Sequence, residues 1–195
     1  LYIRAMQFAA GRLDREMPLS LCHAMVGVPG NECNLMIQEH YGEGFSLAEF
    51  RGHFSVHLRE LMEERIPVKP GAVELLAFLE ARGVRRAVAT SAGRKTAEHH
   101  LGRAGLLDRF QAIATRDDVA HAKPAPDVYL EAARRLGVAP ARCVAFEDSN
   151  VGLTAAHAAG TMAFFVPDIL VPHPEVRGKA VRVLDDLHEA RRLLE

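Results

Sequence analysis

From Val84 onward the chain alternates short apolar runs with segments of helical period, and this alternation limits the fold more than any other feature. Residues 84–90, 112–115, 143–146, 161–166 and 181–184 read as strands. Between and around them, 72–82, 93–102, 126–136 and 149–159 carry helical patterns, and a closing helix starts at Asp185 or Asp186. Gly83 and Gly137 follow two of the helices where a left-handed residue ends a helix well, and Pro126 stands in a first turn. Strands that alternate with helices predict βαβ units, a parallel sheet and right-handed crossovers. The run at 143–146 is continuously apolar, as a strand covered on both faces must be, and 84–90 is read in the same way although Arg85 and Arg86 stand in it.

Residues 1–66 lack any strand pattern. Ser46-Leu47-Ala48-Glu49 reads as a capping box. Behind it Leu47, Phe50, Phe54, Leu58, Leu61 and Met62 recur at three and four residues, an amphipathic helical stripe. Pro29-Gly30 breaks an earlier helix. The composition changes at Ile66-Pro67-Val68-Lys69-Pro70-Gly71, where two prolines and a glycine mark a linker. The expected organisation is a helical subdomain over 1–66 and an α/β unit over 67–195.

Lys and Arg number 24 against 25 Asp and Glu, a net charge of −1, which argues against nucleic acid or an anionic membrane as the main partner. No apolar run nears the ~20 residues of a membrane helix. Cys22, Cys33 and Cys143 are scattered, so neither a disulfide frame nor a structural zinc site is expected, and a reducing cytoplasm fits. His53 and His57 share a helix face at a spacing that can bind zinc. The metalloprotease pattern needs Glu after the first His, however, and Phe54 stands there.

Three stretches carry chemistry. The run Val144-Ala145-Phe146 stops at Glu147-Asp148, and Ser149 and Asn150 open the next helix. Ligands of open α/β sheets bind at the carboxyl ends of strands. Two hard oxygen donors there suit Mg²⁺. The run at 84–90 ends at Thr90-Ser91 before another helix, where hydroxyls and N–H groups can hold an anion. Lys123-Pro124-Ala125-Pro126-Asp127 places a lysine in a proline-stiffened loop, a fixed positive charge for a phosphate. Each stretch also has a plain reading: an acidic turn favoured by the helix dipole, an N-cap, a solvated lysine. Together, in this order and at one sheet edge, they make most of a phosphoryl-transfer site.

With Val88-Ala89-Thr90-Ser91, Lys123-Pro124-Ala125-Pro126-Asp127 and Phe146-Glu147-Asp148-Ser149, the chain resembles the haloacid dehalogenase superfamily, in particular its β-phosphoglucomutase-like branch with a helical cap. The resemblance implies a Rossmann-like parallel sheet core over 67–195 and a cap over 1–66. It implies that Thr90 and the Ser91 amide bind phosphoryl oxygens, that Lys123 offsets charge between phosphate and nucleophile, and that Glu147 and Asp148 hold Mg²⁺. The family's nucleophile and general acid/base lie in an Asp-x-Asp-Gly motif ahead of the cap. That motif does not occur in this sequence, which begins at Leu1 without Met; Asp14 and Asp117-Asp118 lack its context. The expectation is an upstream segment whose strand lies between the strands ending at Thr90 and Phe146, which would stand roughly 9–10 Å apart, twice the usual spacing.

The resulting expectation is a Mg²⁺-dependent phosphatase of small phosphorylated metabolites of the sugar-phosphate type, working through an aspartyl-phosphate. It would be cytoplasmic and a monomer or weak dimer, with no nucleic-acid or membrane partner. A sugar-phosphate mutase is the alternative within the family. The loop Val26-Gly27-Val28-Pro29-Gly30-Asn31 has no Lys or Arg to grip a second phosphate, which favours the phosphatase. A catalytically dead relative that acts as a binding protein is the alternative outside enzymes.

Overall fold

The computed structural model describes residues 1–25, 28, 30–64, 66–168 and 171–195. The loop at 26–31, from which the phosphatase-over-mutase expectation was drawn, has Val26, Gly27 and Pro29 outside the described residues. The chain divides into two compact units, Leu1–Ile66 and Pro67–Glu195.

The first unit holds helices α1 (Tyr2–Gly11), α2 (Leu19–Ala24), α3 (Gly30–Tyr41) and α4 (Leu47–Glu64). Its core gathers Ala9, Ala10, Met17, Cys22, Met25, Ile37, Phe45 and Phe50. Ser46 Oγ accepts the Glu49 N–H at 3.4 Å at the start of α4, and Phe50 and Phe54 fall on its inner side. His57 stacks on Phe8 with ring centroids 3.8 Å apart and bonds Glu60 at 3.0 Å, so its ring is engaged in surface packing. No group of three or more His, Cys, Asp or Glu side chains placed to hold a metal ion by themselves is found among the described residues. Nor is any helix among them long and apolar enough to cross a membrane.

The second unit runs α5 (Ala72–Ala81), β1 (Ala87–Ala89), α6 (Arg94–Arg103), β2 (Ala112–Ala114), α7 (Asp127–Leu136), β3 (Val144–Glu147), α8 (Asn150–Ala158), β4 (Met162–Phe165), α9 (Pro174–Arg177), β5 (Arg182–Val183) and α10 (Leu187–Leu194). All strand pairs are parallel, but they form two sheets, β1-β2 and β3-β4-β5. Among the described residues β1 and β3 make no ladder with each other. One apolar core serves both: Tyr129, Val128 and Ala132 of α7 pack with Ala114 of β2, Ala145 of β3, Phe165 of β4 and Leu153 of α8. Leu75 of α5 and Ala190 of α10 cover the other face with Val166 and Leu184.

The strand expected at 84–90 is shorter. Val84 N–H bonds Leu79 O at 2.9 Å and so finishes the end of α5. The Arg86 guanidinium is tied to Arg109 O and Glu80. Only Ala87–Ala89 is left to pair with Ala112–Ala114. The short α9 was not foreseen in the sequence. Behind β2, Asp118 accepts from the Thr115 hydroxyl and N–H, both at 2.7 Å, and from Arg94 and Arg135, pinning α6 and α7 to one loop.

Candidate active site

Parallel strands deliver their carboxyl ends to one edge, and here those ends line a cavity of about 350 Å³. Thr90, Ser91, Lys123, Glu147 and Asp148 all line it, so the structure brings together every site residue singled out in the sequence. Lys69, Ser149, Val166 and Leu187 line it too.

The turn after β1 is built as a hook. Thr90 Oγ1 accepts the Ala92 N–H at 3.0 Å, which leaves its own hydrogen free to point elsewhere. The first amide of α6, that of Arg94, is taken by Asp117 at 2.8 Å. One amide of the helix start is therefore already capped by a carboxylate. Thr90 and Ser91 line the cavity, and the Ser91 N–H has no partner among the described residues. This also places Asp117 as a helix cap.

Lys123 is buried, with 8 % of its side chain exposed. Its ammonium donates to Ala89 O at 3.1 Å, to Glu147 Oε1, and to the Tyr129 oxygen at 3.5 Å. It thus spans the ends of β1 and β3, which belong to different sheets. The third of these bonds is long, so one N–H remains weakly held and can turn to a phosphate oxygen. Glu147 ends β3 and is also buried. Its Oε1 takes both Lys123 and the Tyr129 hydroxyl, and its Oε2 takes the Ser149 hydroxyl at 3.1 Å. Ser149 also accepts the Gly152 N–H at 3.1 Å, capping α8. Burial pushes the Tyr129 hydroxyl far above its ordinary pKa, and the Glu147 carboxylate adds to this, so the phenol stays a donor.

Asp148 differs from its neighbour. About half of its side chain is exposed (48 %), and its nearest cation is Lys69, 3.6 Å away. Lys69 also reaches Asp168 at 3.5 Å and the carbonyls of Val166 and Pro167 at 3.3 and 3.2 Å. Desolvation raises the Asp148 pKa; the Lys69 charge opposes this, and the Glu147 and Asp168 carboxylates add to it.

A family model for haloacid dehalogenase-like hydrolases matches residues 3–160, most of the chain. This chain belongs to that family. Among haloacid dehalogenase-like hydrolases and their kin it is 31% identical over 160 residues to a phosphorylated carbohydrates phosphatase of Thermotoga maritima, covering 82% of this chain and 74% of that protein. It is 43% identical over 100 residues to YhcW, a candidate phosphatase of Bacillus subtilis, covering 51% of this chain and 46% of that protein. The chain spans about half the length of the curated relatives it matches at 43% identity. Its fold overlays the crystal structure of a candidate β-phosphoglucomutase from Thermotoga maritima with a TM-score of 0.84, at 28% identity, covering 99% of this chain and 90% of that one.

Such hydrolases imply a divalent metal, and the donor set can be tested for it. Two ammonium groups, Lys69 and Lys123, face three carboxylates, Glu147, Asp148 and Asp168, which leaves negative charge uncompensated. All the acidic donors are hard oxygens, as Mg²⁺ requires. Asp148 is open and loosely held, so it fits a direct ligand. Glu147 has both lone pairs of Oε1 and one of Oε2 engaged, so it fits only through its last lone pair or through water.

Four contributors, Lys69, Asp168, Tyr129 and Gly152, escaped the sequence reading. Lys69 sits between Pro67 and Pro70, in a proline-stiffened place comparable to that of Lys123. Tyr129 stands on the apolar face of α7 with Val128, Ala132 and Ala133, where it is indistinguishable from core. Gly152 has no side chain to announce a role.

Proposed function

We propose that the chain carries the phosphate- and metal-binding side of a Mg²⁺-dependent phosphatase of small phosphorylated metabolites, of the sugar-phosphate type. Pro67–Glu195 takes the role of catalytic core and Leu1–Ile66 that of helical cap. The observation that carries this reading is the convergence of Thr90, Ser91, Lys123, Glu147 and Asp148 on one cavity. The name of the Thermotoga maritima relative, a phosphorylated carbohydrates phosphatase, supports the substrate class.

In this reading the Thr90 hydroxyl and the Ser91 N–H grip two phosphoryl oxygens. Lys123 places its weakly held N–H on a phosphoryl oxygen as charge builds in the transition state. Asp148, with Glu147 behind it, would hold Mg²⁺, which when bound neutralises phosphate charge. The phosphoryl group passes to an aspartate and then to water; that aspartate belongs to an Asp-x-Asp motif that this sequence does not contain.

The test uses the full-length natural protein and release of inorganic phosphate from a panel of sugar phosphates. Asp148→Asn should weaken Mg²⁺ activation and largely abolish turnover. Lys123→Ala should cost about 3–4 kcal/mol in kcat/KM, the scale of a lost transition-state donor. Near-normal kcat/KM in Lys123→Ala refutes the reading. Conversion of β-glucose 1-phosphate to glucose 6-phosphate with little phosphate released replaces it with a mutase.

A further inference from the structure

We infer that Tyr129 is a positioning residue for the Lys123 clamp, acting through the shared oxygen of Glu147. The inference rests on the function proposed above, in which Lys123 meets the phosphate. The Tyr129 hydroxyl donates to Glu147 Oε1, the oxygen that also receives the Lys123 ammonium. The ammonium lies 4.9 Å from the centre of the Tyr129 ring and 3.5 Å from its oxygen. One carboxylate oxygen has two acceptor sites, and these two donors fill both. The carboxylate cannot turn about its last bond without breaking one of them, and the ammonium is seated on that carboxylate.

The ring that does this is itself fixed. Tyr129 is 9 % exposed and is flanked on α7 by Val128 and Ala132, which pack into the core shared by the two sheets. Tyr129 thus carries a rigid helix face to the end of β3, while Lys123 reaches the end of β1 through Ala89 O. Without the hydroxyl, Oε1 keeps an unfilled acceptor site in a buried place, and Glu147 gains a rotation that carries Lys123 off its aim. A group that must meet a phosphoryl oxygen within a few tenths of an ångström loses rate from such freedom.

The experiment is a double-mutant cycle in the full-length protein: parent, Tyr129→Phe, Lys123→Ala and the double variant, each assayed for kcat and KM on one good phosphomonoester. Phe keeps the ring and its packing, so the variant should fold, and a thermal melt checks that it does. Tyr129→Phe is expected to lower kcat about 10- to 100-fold, the usual loss for a group that orients a ligand-contacting residue, with KM within about threefold. Because Tyr129 acts through Lys123, adding Tyr129→Phe to Lys123→Ala should change kcat by less than about twofold. The inference is overturned if Lys123→Ala loses its rate while Tyr129→Phe keeps kcat within about twofold of the parent. It is also overturned if the two losses multiply, as a general loosening of the fold would make them do. A near-normal rate in Lys123→Ala overturns the functional reading itself and the role of Tyr129 with it.

Discussion

Replacing Gly152 with Ala should destabilise the α/β unit, although the same change at an unobstructed helix position stabilises. Gly152 lies in the first turn of α8, and a Cβ there would overlap Cδ and both oxygens of the Glu147 carboxylate. Helix propensity alone favours Ala by about 0.5–1 kcal/mol. The clash must be relieved by moving either α8 or Glu147. Glu147 cannot give way freely, because Lys123, Tyr129 and Ser149 all hold it and it is buried. Breaking a buried charged pair costs about 3–5 kcal/mol. Set against the propensity gain, the net loss is about 2–4 kcal/mol. For a unit of this size each kcal/mol moves the midpoint by roughly 3–5 °C. A melt followed by circular dichroism should therefore show Gly152→Ala about 6–20 °C below the parent. A midpoint at or above the parent would mean that the carboxylate moves aside at no cost, and the picture of Glu147 as a locked anchor would be wrong.

Lys69→Met removes the cation that competes for Asp148, so Mg²⁺ should bind more tightly. A half-exposed pair is worth up to about 1 kcal/mol, hence a fall of up to about fivefold in the Mg²⁺ concentration for half-maximal activity; an unchanged or higher midpoint counts against the competition. On the acid side, Asp118 is held well below the ordinary carboxylate range by the Thr115 hydroxyl and then by Arg135 and Arg94, and Glu131 is lowered to about 2 by Arg134 and Arg135. Their contribution is present above the unfolded pKa values of about 4 and is lost as pH falls through the folded ones. Melts between about pH 4.5 and 2.5 should show a falling midpoint whose slope is shallower in Asp118→Asn; equal slopes in the two proteins would contradict this.

The parts of the fold that could be read in the sequence are those whose signals are local. Val144-Ala145-Phe146 followed by Ser149 announces a strand and a capped helix, and β3 and α8 lie there. At β1 the local signal misled: Val84 N–H serves the end of α5, the Arg85 side chain reaches Leu136 of α7, and Arg86 bonds Gln111 and Arg109 ahead of β2, so the ladder itself starts only at Ala87. That β1 and β3 do not pair with each other was expected only from the family resemblance, because the pairings within β1-β2 and β3-β4-β5 join distant segments that no local pattern records. In the site, residues with unusual chemistry for their place stood out, such as Lys123 ahead of two prolines or two acids ending an apolar run. Tyr129 did not, because its hydroxyl matters only once Glu147 is folded against it. That Glu147 is occupied by three donors, while Asp148 is open, is likewise a fact of packing.

The bonds of Lys123 reach 34 residues back to Ala89 and 24 residues forward to Glu147. The cavity therefore exists only when β1, β3 and α7 are in place together, and a partly folded chain has no fragment of it to offer. A small anion that binds the native state alone adds stability that grows with its concentration relative to its dissociation constant, about 2.7 kcal/mol at a hundred times that constant. Heat can thus serve as an assay of recognition: compounds that raise the melting midpoint report what the cavity accepts, whether or not a turnover follows.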